Sequence, residues 1–532
     1  MLRYCSLPIR PDAPAVRTRL YRNGVLLDEQ LLSIGRPAQM WAELPLPGGS
    51  REEYALRFAG CAEDAARALA ALAVFGETRQ GGTAYGEALR PAVHFTPRCG
   101  FHNDPNGLLY YNGQYHMFFQ LNPYGLRHGN THWGWAVSRD LLHWTERQPP
   151  LRPSEEDGLI YSGSGVVDWN NTSGLQTGEH PPIVLFYTAT GARFPSDFGQ
   201  AMARQCVAVS LDGGEHFYKH GCVLDELVPM NRDPKVRWVA DAGCWVMALY
   251  LEKNDYALLY SDNLLHWQRG ETLTLPFTAE CPDLFELFLD GDPRQPKWVL
   301  FGSPENYLVG HFEGRRFIAE TELIRGPAQP EGQGKVFTRA ALYAPQTFSG
   351  LPRGEEIQLY WMPTIFPAMP FSSCMSLPWR LSLQTTAEGP RLSAAPVEAV
   401  KTLREQTVAL DDPALDSLEG DALDLELRPG FDSPEGRLLL RLRGVPVLLQ
   451  KGGRELVFPD GIYALPEPSA PLRILADHGS VELFCGRFHC GLNTPLDPGK
   501  RGLEILAQEH CRPEGTLSRL RSVWIDAATG NK

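Results

Sequence analysis

Three acidic residues stand in segments made largely of proline, glycine, asparagine and aromatic residues. The first segment is Asn103-Asp104-Pro105-Asn106-Gly107. A residue before proline is biased towards extended backbone and Asn-Gly closes a turn, which would set Asp104 on a stiff corner. The second, Arg232-Asp233-Pro234, again places aspartate before proline, with a cation beside it to keep the carboxylate ionised. The third, Glu280-Cys281-Pro282-Asp283, lies between Phe277 and Leu284-Phe285. Apolar surroundings favour a neutral carboxylic acid, the form in which Glu280 donates a proton. Two ionised carboxylates and one protonated one, held on rigid loops, are the equipment of a retaining glycosidase. Taken singly, each segment has the composition of an ordinary turn; only the combination points to chemistry.

Other chemistries lack their signatures. Gly163-Ser164-Gly165 is not followed by the third glycine of a dinucleotide fingerprint, and no P-loop, H-E-x-x-H or G-x-S-x-G stretch occurs. The 11 cysteines are scattered without C-x-x-C spacing, which fits neither a disulfide framework nor a zinc module. Cys485 and Cys490, with His489 beside them, read as buried thiols rather than ligands. No metal and no organic cofactor is expected.

The elements that must hold the acidic loops are short strands. Glycine (51) and proline (44) exceed average usage without a collagen period, which implies many tight turns. An internal echo shows how the strands are grouped. Ala136-Val-Ser-Arg-Asp-Leu-Leu-His-Trp144 returns as Leu259-Tyr-Ser-Asp-Asn-Leu-Leu-His-Trp267, with a looser copy at Ala208-Val-Ser-Leu-Asp-Gly-Gly-Glu-His-Phe217. A β run, a Ser-plus-Asp turn and an aromatic, recurring every 50–70 residues or so, suit a four-stranded unit repeated around an axis. At roughly 50–60 residues per unit, the aromatic-rich stretch 93–385 holds five blades.

On either side the texture changes. Residues 1–92 carry short alternating runs such as Val16–Tyr21 and Gln39–Leu44, broken by Asn-Gly and Gly-Gly turns, and form a β-rich module. Within it, Ala62–Phe75, dominated by alanine and leucine, is open to being a single helix. Residues 386–532 hold strand-like runs such as Leu438–Leu442 and Leu472–Phe484. Thr78–Gly86 and Thr385–Pro390 read as linkers. A net charge of −13 with no basic run argues against nucleic acid or an acidic membrane as partner. Apolar runs such as Cys244–Leu251 fall far short of the roughly 18 residues that span a bilayer. The start, MLRYCSLPIRP, lacks the apolar core of a secretory signal, so a cytoplasmic location is the expectation for the chain as given.

The run from His94-Phe-Thr-Pro97 through Phe101-His-Asn-Asp-Pro-Asn-Gly107 to Gln120-Leu-Asn-Pro123 strongly resembles the opening of glycoside hydrolase family 32, which contains invertases, levanases and inulinases. Further matching stretches follow in order: Trp133-Gly134, Ser138–Trp144, Tyr161-Ser-Gly-Ser164, Arg232-Asp-Pro234, Glu280-Cys-Pro-Asp-Leu-Phe285, Tyr343-Ala-Pro-Gln-Thr-Phe348 and Leu475–Phe484. The resemblance covers about residues 90–525. It implies an all-β fold: a five-bladed β-propeller with the site in its axial funnel, then a β-sandwich. Residues 1–92 resemble the extra β modules of some bacterial fructanases.

By position in the pattern, Asp104 would be the nucleophile, Glu280 the acid/base and Asp233 the transition-state stabiliser. Asn103, Gln120, Ser162 and Arg232 would hold fructosyl hydroxyls, with Trp133, Tyr161, His128 and Trp361 lining the same pocket. The implied reaction is removal of terminal fructosyl units from levan, inulin or sucrose. A fructosyltransferase and a non-catalytic sugar-binding propeller are the alternatives, and a homo-oligomer through the sandwich or amino-terminal module stays open. Asp283 is the second candidate for the acid. Phe101-His102 replaces the family's usual Trp-Met. His128-Gly-Asn-Thr-His-Trp-Gly-Trp135 replaces Trp-Gly-Asn-x-x-Trp-Gly-His, and Pro378-Trp-Arg-Leu381 departs likewise. Sucrose is therefore not assumed as the substrate.

Overall fold

The computed structural model describes residues 2–81, 85–194, 197, 202–303, 305–326, 342–494 and 499–524. Five sheets, antiparallel but for the short strand Phe371–Ser372 that runs parallel to Gly100–Tyr111, follow one another along the chain between Gly100 and Pro396. Their first strands are Gly100–Tyr111, Ile160–Val167, Arg232–Val239, Asp283–Phe288 and Tyr343–Thr347. Each first strand contacts the next, and the fifth contacts the first, so the ring is closed. These are blades I to V of a propeller, with the first strands innermost. The second strands of blades II and III, Ile183–Ala189 and Cys244–Tyr250, are buried at every position, because neighbouring blades cover both faces. The outermost strands Tyr218–Leu224 and Gln268–Thr274 alternate towards solvent and are correspondingly polar.

The repeated motif occupies the same place in blades I, II and III, the turn between third and fourth strands. Asp140 accepts from the amides of Leu142 and His143 at 3.0 and 2.9 Å, Asp212 from those of Glu215 and His216, and Asn263 from those of Leu265 and His266. The Trp144 and Trp267 indoles then donate to the carbonyls of Leu141 and Leu264 at 2.9 Å, tying each turn to the start of the outer strand.

The expected linker Thr385–Pro390 is instead the tip of a hairpin. Trp379–Thr386 and Gly389–Pro396 pair in unbroken register as the outer half of blade V, so the propeller runs past 385. Proline is accepted because Gly389–Pro396 is a sheet edge. Beyond it, a six-stranded and a five-stranded sheet stack as a sandwich. Leu438, Leu440 and Leu442 alternate inward from one sheet and meet Leu423, Leu425 and Leu427 of the other. Cys485 and Cys490 are buried in that core, while His489 bonds Glu305 of the propeller at 2.6 Å.

The amino-terminal module is two three-stranded sheets around Leu7, Leu20, Leu32, Met40 and Ala42. Of Ala62–Phe75, a stretch open to either strand or helix from its sequence, only Glu63–Ala70 is helical, and Val74–Gly76 forms a strand beside Tyr4–Ile9. Pairing with a sheet edge overrides the helical preference of the flanking alanines. Part of Thr78–Gly86 lies outside the described residues.

Candidate active site

Four of the five innermost strands lose register near the same end of the ring. The slips fall between His102 and Pro105, Tyr161 and Gly163, Arg232 and Lys235, and Tyr343 and Gln346. A bulge frees residues from the ladder and re-aims their side chains. Asn103, Asp104, Ser162, Asp233 and Ala344 are among the residues so freed. Asn106-Gly107, expected to close a turn, belongs to a second slip within the strand. Asp233 has φ 62°, Glu280 φ 60°, Cys281 φ 40° and Ala344 φ 50°. The extended backbone expected for Asp233 ahead of Pro234 is thus replaced by a left-handed one. Such strain persists where surrounding bonds over-determine the position. Here the Asp233 amide donates to Thr188 Oγ1 at 3.2 Å, and its Oδ2 accepts from the Cys281 amide at 3.1 Å.

The three acidic side chains enclose one point. Asp104 accepts from Ser162 Oγ at 2.5 Å and Asn103 Nδ2 at 3.0 Å. The Cys281 thiol lies 3.8 Å from Asp104 Oδ2 and 3.6 Å from Asp233 Oδ2, and Cys281 directly follows Glu280. The Arg232 guanidinium does not sit chiefly on its neighbour Asp233, 3.9 Å away. It donates to Glu280 Oε1 at 2.6 Å and 3.2 Å, lies over the Tyr250 ring, and has a third bond to the Met230 carbonyl. Tyr343 Oη donates to Glu280 Oε2 at 2.6 Å. Glu280 is therefore gripped by a cation and a phenol, not enclosed in apolar side chains.

Burial pushes Asp233 up to about 7, with the Glu280 and Asp104 carboxylates adding to the shift and Arg232 opposing it. Asp104 is raised too, again by burial; Ser162 and Asn103 oppose the shift and Glu280 adds to it. The two aspartates expected to be fully ionised are thus the carboxyls whose protonation burial favours. Cys281, between them, is held well above the ordinary thiol value by burial and by the surrounding carboxylates.

The remaining candidates divide. Gln120 lies opposite the Asn103-Asp104 bulge, buried, with neither atom of its amide hydrogen-bonded among the described residues. Trp361 packs edge-on to Tyr343 and Phe101, and its buried indole nitrogen is likewise unmatched among the described residues. His128 sits edge-on to Phe101 and Tyr161 at the mouth. Trp133 does not line the site: it is fully buried against Phe118 and Gly107, and its indole donates to the Tyr161 carbonyl at 3.1 Å. It holds the strand that carries Tyr161 and Ser162. Asp283 is fully buried under the site, paired with Lys235 at 2.8 Å and accepting from the Thr347 amide at 2.7 Å, so it cannot reach a leaving group. Tyr343, Cys281 and Thr188 were given no role from sequence. Only the motifs containing Tyr343 and Cys281 signalled them.

A closed five-bladed β-propeller with three carboxyl groups at one end of its axis, followed by a β-sandwich, is the architecture of a carbohydrate-processing propeller. Residues 94–396 match the family described as the glycosyl hydrolases family 32 N-terminal domain, and the chain belongs to glycoside hydrolase family 32. It is 37% identical over 348 residues to a levanase of Bacillus subtilis, covering 60% of this chain and 48% of that protein. It is 34% identical over 382 residues to an invertase of Schizosaccharomyces pombe, covering 65% and 63%. The chain thus spans about half the length of the levanase and under two thirds of the invertase. Among solved structures, an exo-inulinase from Aspergillus awamori superimposes with TM-score 0.70 at 25% identity, over 83% of this chain and 100% of that one.

Proposed function

We propose that this protein is a retaining β-fructosidase that hydrolyses terminal β-fructofuranosyl linkages of levan- or inulin-type fructans, of sucrose, or of both. The observation that carries the reading is the enclosure of one point by Asp104, Asp233 and Glu280, each from a different blade or blade junction. Family membership and the levanase and invertase relatives support the substrate class.

Asp104 attacks the anomeric carbon while Glu280 passes a proton to the departing oxygen, leaving a fructosyl ester on Asp104. Glu280, now a carboxylate, takes a proton from water as the water attacks the same carbon and frees Asp104. Two displacements retain the β configuration. Arg232 and Tyr343 hold Glu280 in place for both steps. Asp233 accepts bonds from ring hydroxyls and offsets the positive charge that develops on the sugar. Substrate hydroxyls on Asp104 and Asp233 replace part of the hydration that burial removes and draw both towards their ionised forms. In this reading the terminal fructosyl unit lies innermost, and release proceeds from the chain end.

The test is product analysis on sucrose, inulin and levan with wild type, Asp104→Asn and Glu280→Ala. Free β-fructose is expected first from wild type, and Asp104→Asn should lose all turnover while still binding sugar. Glu280→Ala should release the aryl group of an activated fructoside in a burst, then stall until azide replaces water. Inverted product from wild type, seen by NMR before mutarotation, would remove Asp104 from the nucleophile's role.

A further inference from the structure

A cavity of about 400 Å3 lies between the amino-terminal module and blades I and II. Its volume falls in the ~300–1,000 Å3 range of small-ligand sites. One wall is Pro11, Ala13, Ala15, Leu31 and Ser33; the other is the loop Asn122–Asn130 together with Tyr161. Tyr161 immediately precedes Ser162, which bonds Asp104, and His128 on the loop packs edge-on to Tyr161 and Phe101. The cavity and the candidate active site therefore share a wall.

The module is seated firmly enough to shape that wall. The Leu31 amide donates to Asn130 Oδ1 at 3.1 Å, and Asn130 Nδ2 returns a bond to the Leu31 carbonyl at 2.9 Å. Arg193 reaches the Glu29 carbonyl at 2.5 Å, and Arg17 stacks on Phe194 at 3.9 Å. Asn122 is spent inside the loop, on the Arg127 carbonyl. The Tyr161 hydroxyl, the His128 imidazole, the Arg127 guanidinium and the Ser33 hydroxyl bond to none of the described residues. Aromatic edges and faces with a few unspent donors are what a sugar ring requires: apolar C–H groups against the rings, hydroxyls to the donors.

We infer that this cavity is a saccharide subsite on the leaving-group side, made in part by the amino-terminal module, which takes a sugar unit further along the chain than the one that departs. The inference rests on the fructosidase reading, in which the terminal unit lies innermost and the rest of the chain must leave past His128 and Tyr161. It gives residues 1–92 a role in preferring longer chains over a disaccharide.

The experiment measures kcat and KM for sucrose and for inulin- and levan-type oligosaccharides of increasing length, with wild type, Ser33→Trp and Arg127→Ala. Ser33→Trp fills the cavity; Arg127→Ala removes one donor from an exposed position. For long substrates each variant should raise KM, by about tenfold for Ser33→Trp, with kcat retained and with sucrose kinetics unchanged. Equal losses on sucrose and long chains, or no loss on either, would overturn the subsite. Thermal midpoints show whether Ser33→Trp is folded, and if it is not, Arg127→Ala decides. Wild type that releases no fructose from any substrate overturns the fructosidase reading instead, so the two failures are distinguishable.

Discussion

Asp233 is a carboxyl group that the fold would hold more easily without its charge. In the unfolded chain it ionises near the ordinary 3.8, whereas in the site it holds its proton to about 7. The folded state therefore binds more protons between those values, and stability falls as pH rises from about 4 to about 7. Asp233→Asn should remove that slope: it is expected to raise the thermal midpoint above wild type at pH 7.5 and to match it near pH 4, while abolishing turnover. Calorimetry at the two pH values checks this, and equal midpoints at pH 7.5 would contradict it. The residue types at the site were legible because proline, asparagine and aromatic neighbours mark these acids out from surface carboxylates. Their partners were not. Arg232 stands next to Asp233 in sequence yet serves Glu280, and Tyr343 reaches Glu280 across 63 residues, a meeting fixed by the side-by-side packing of blades IV and V.

The blades position the site through irregularity rather than through regular pairing. Gly163 shows how little room there is: a Cβ there would stand 1.9 Å from the Phe186 carbonyl oxygen, a backbone atom that cannot swing aside. Gly163→Ala should force apart the first two strands of blade II and pull Ser162 from Asp104. The expected cost is about 3 kcal/mol of stability, with a fall in kcat greater than any change in KM. Denaturant unfolding and steady-state kinetics measure both; an unchanged midpoint would show that the strands adjust. Blade number and the repeated turn were readable because Ser138, Ser210 and Ser261, each two residues before Asp140, Asp212 or Asn263, make local bonds. The bulges were not readable. A register slip is a relation between two strands, and the pre-proline bias at Asp233 pointed the wrong way. The edge of blade V was misplaced for a similar reason: Thr386–Gly389 has linker composition whether it joins two domains or closes a hairpin.

Propeller and sandwich are joined by two buried acids of one hairpin. Asp477 accepts from the amides of Ala92 and Val93, both at 2.8 Å, and Glu482 accepts from the Leu377 amide and the Trp379 indole, both at 2.7 Å. His94 lies between them, 2.9 Å from Asp477 and 3.2 Å from Glu482. Burial alone would lower its pKa, but the two carboxylates raise it to about 9. The charged pairing is fully present below the ordinary 6.5 and is lost as pH climbs through 9. Glu482→Ala strands the Nε2 side of His94, an indole and an amide without their acceptor, while Asp477 keeps Nδ1. A cost of about 3–5 kcal/mol is expected, with the single unfolding transition splitting into two as the sandwich and propeller uncouple. One undivided transition at wild-type temperature would show that the clamp does not couple them.

That clamp also sets a timetable for biosynthesis. Ala92 meets Asp477 across 385 residues. At about 5–20 residues per second, the ribosome delivers the second partner roughly 20–80 s after the first. Through that interval His94 and the neighbouring amides face water or transient partners, and blade I keeps its innermost strand open until blade V arrives to close the ring. The nascent chain thus carries an unfinished β edge for about half of its own translation, the period in which edge-to-edge association between neighbouring chains on one message is most dangerous.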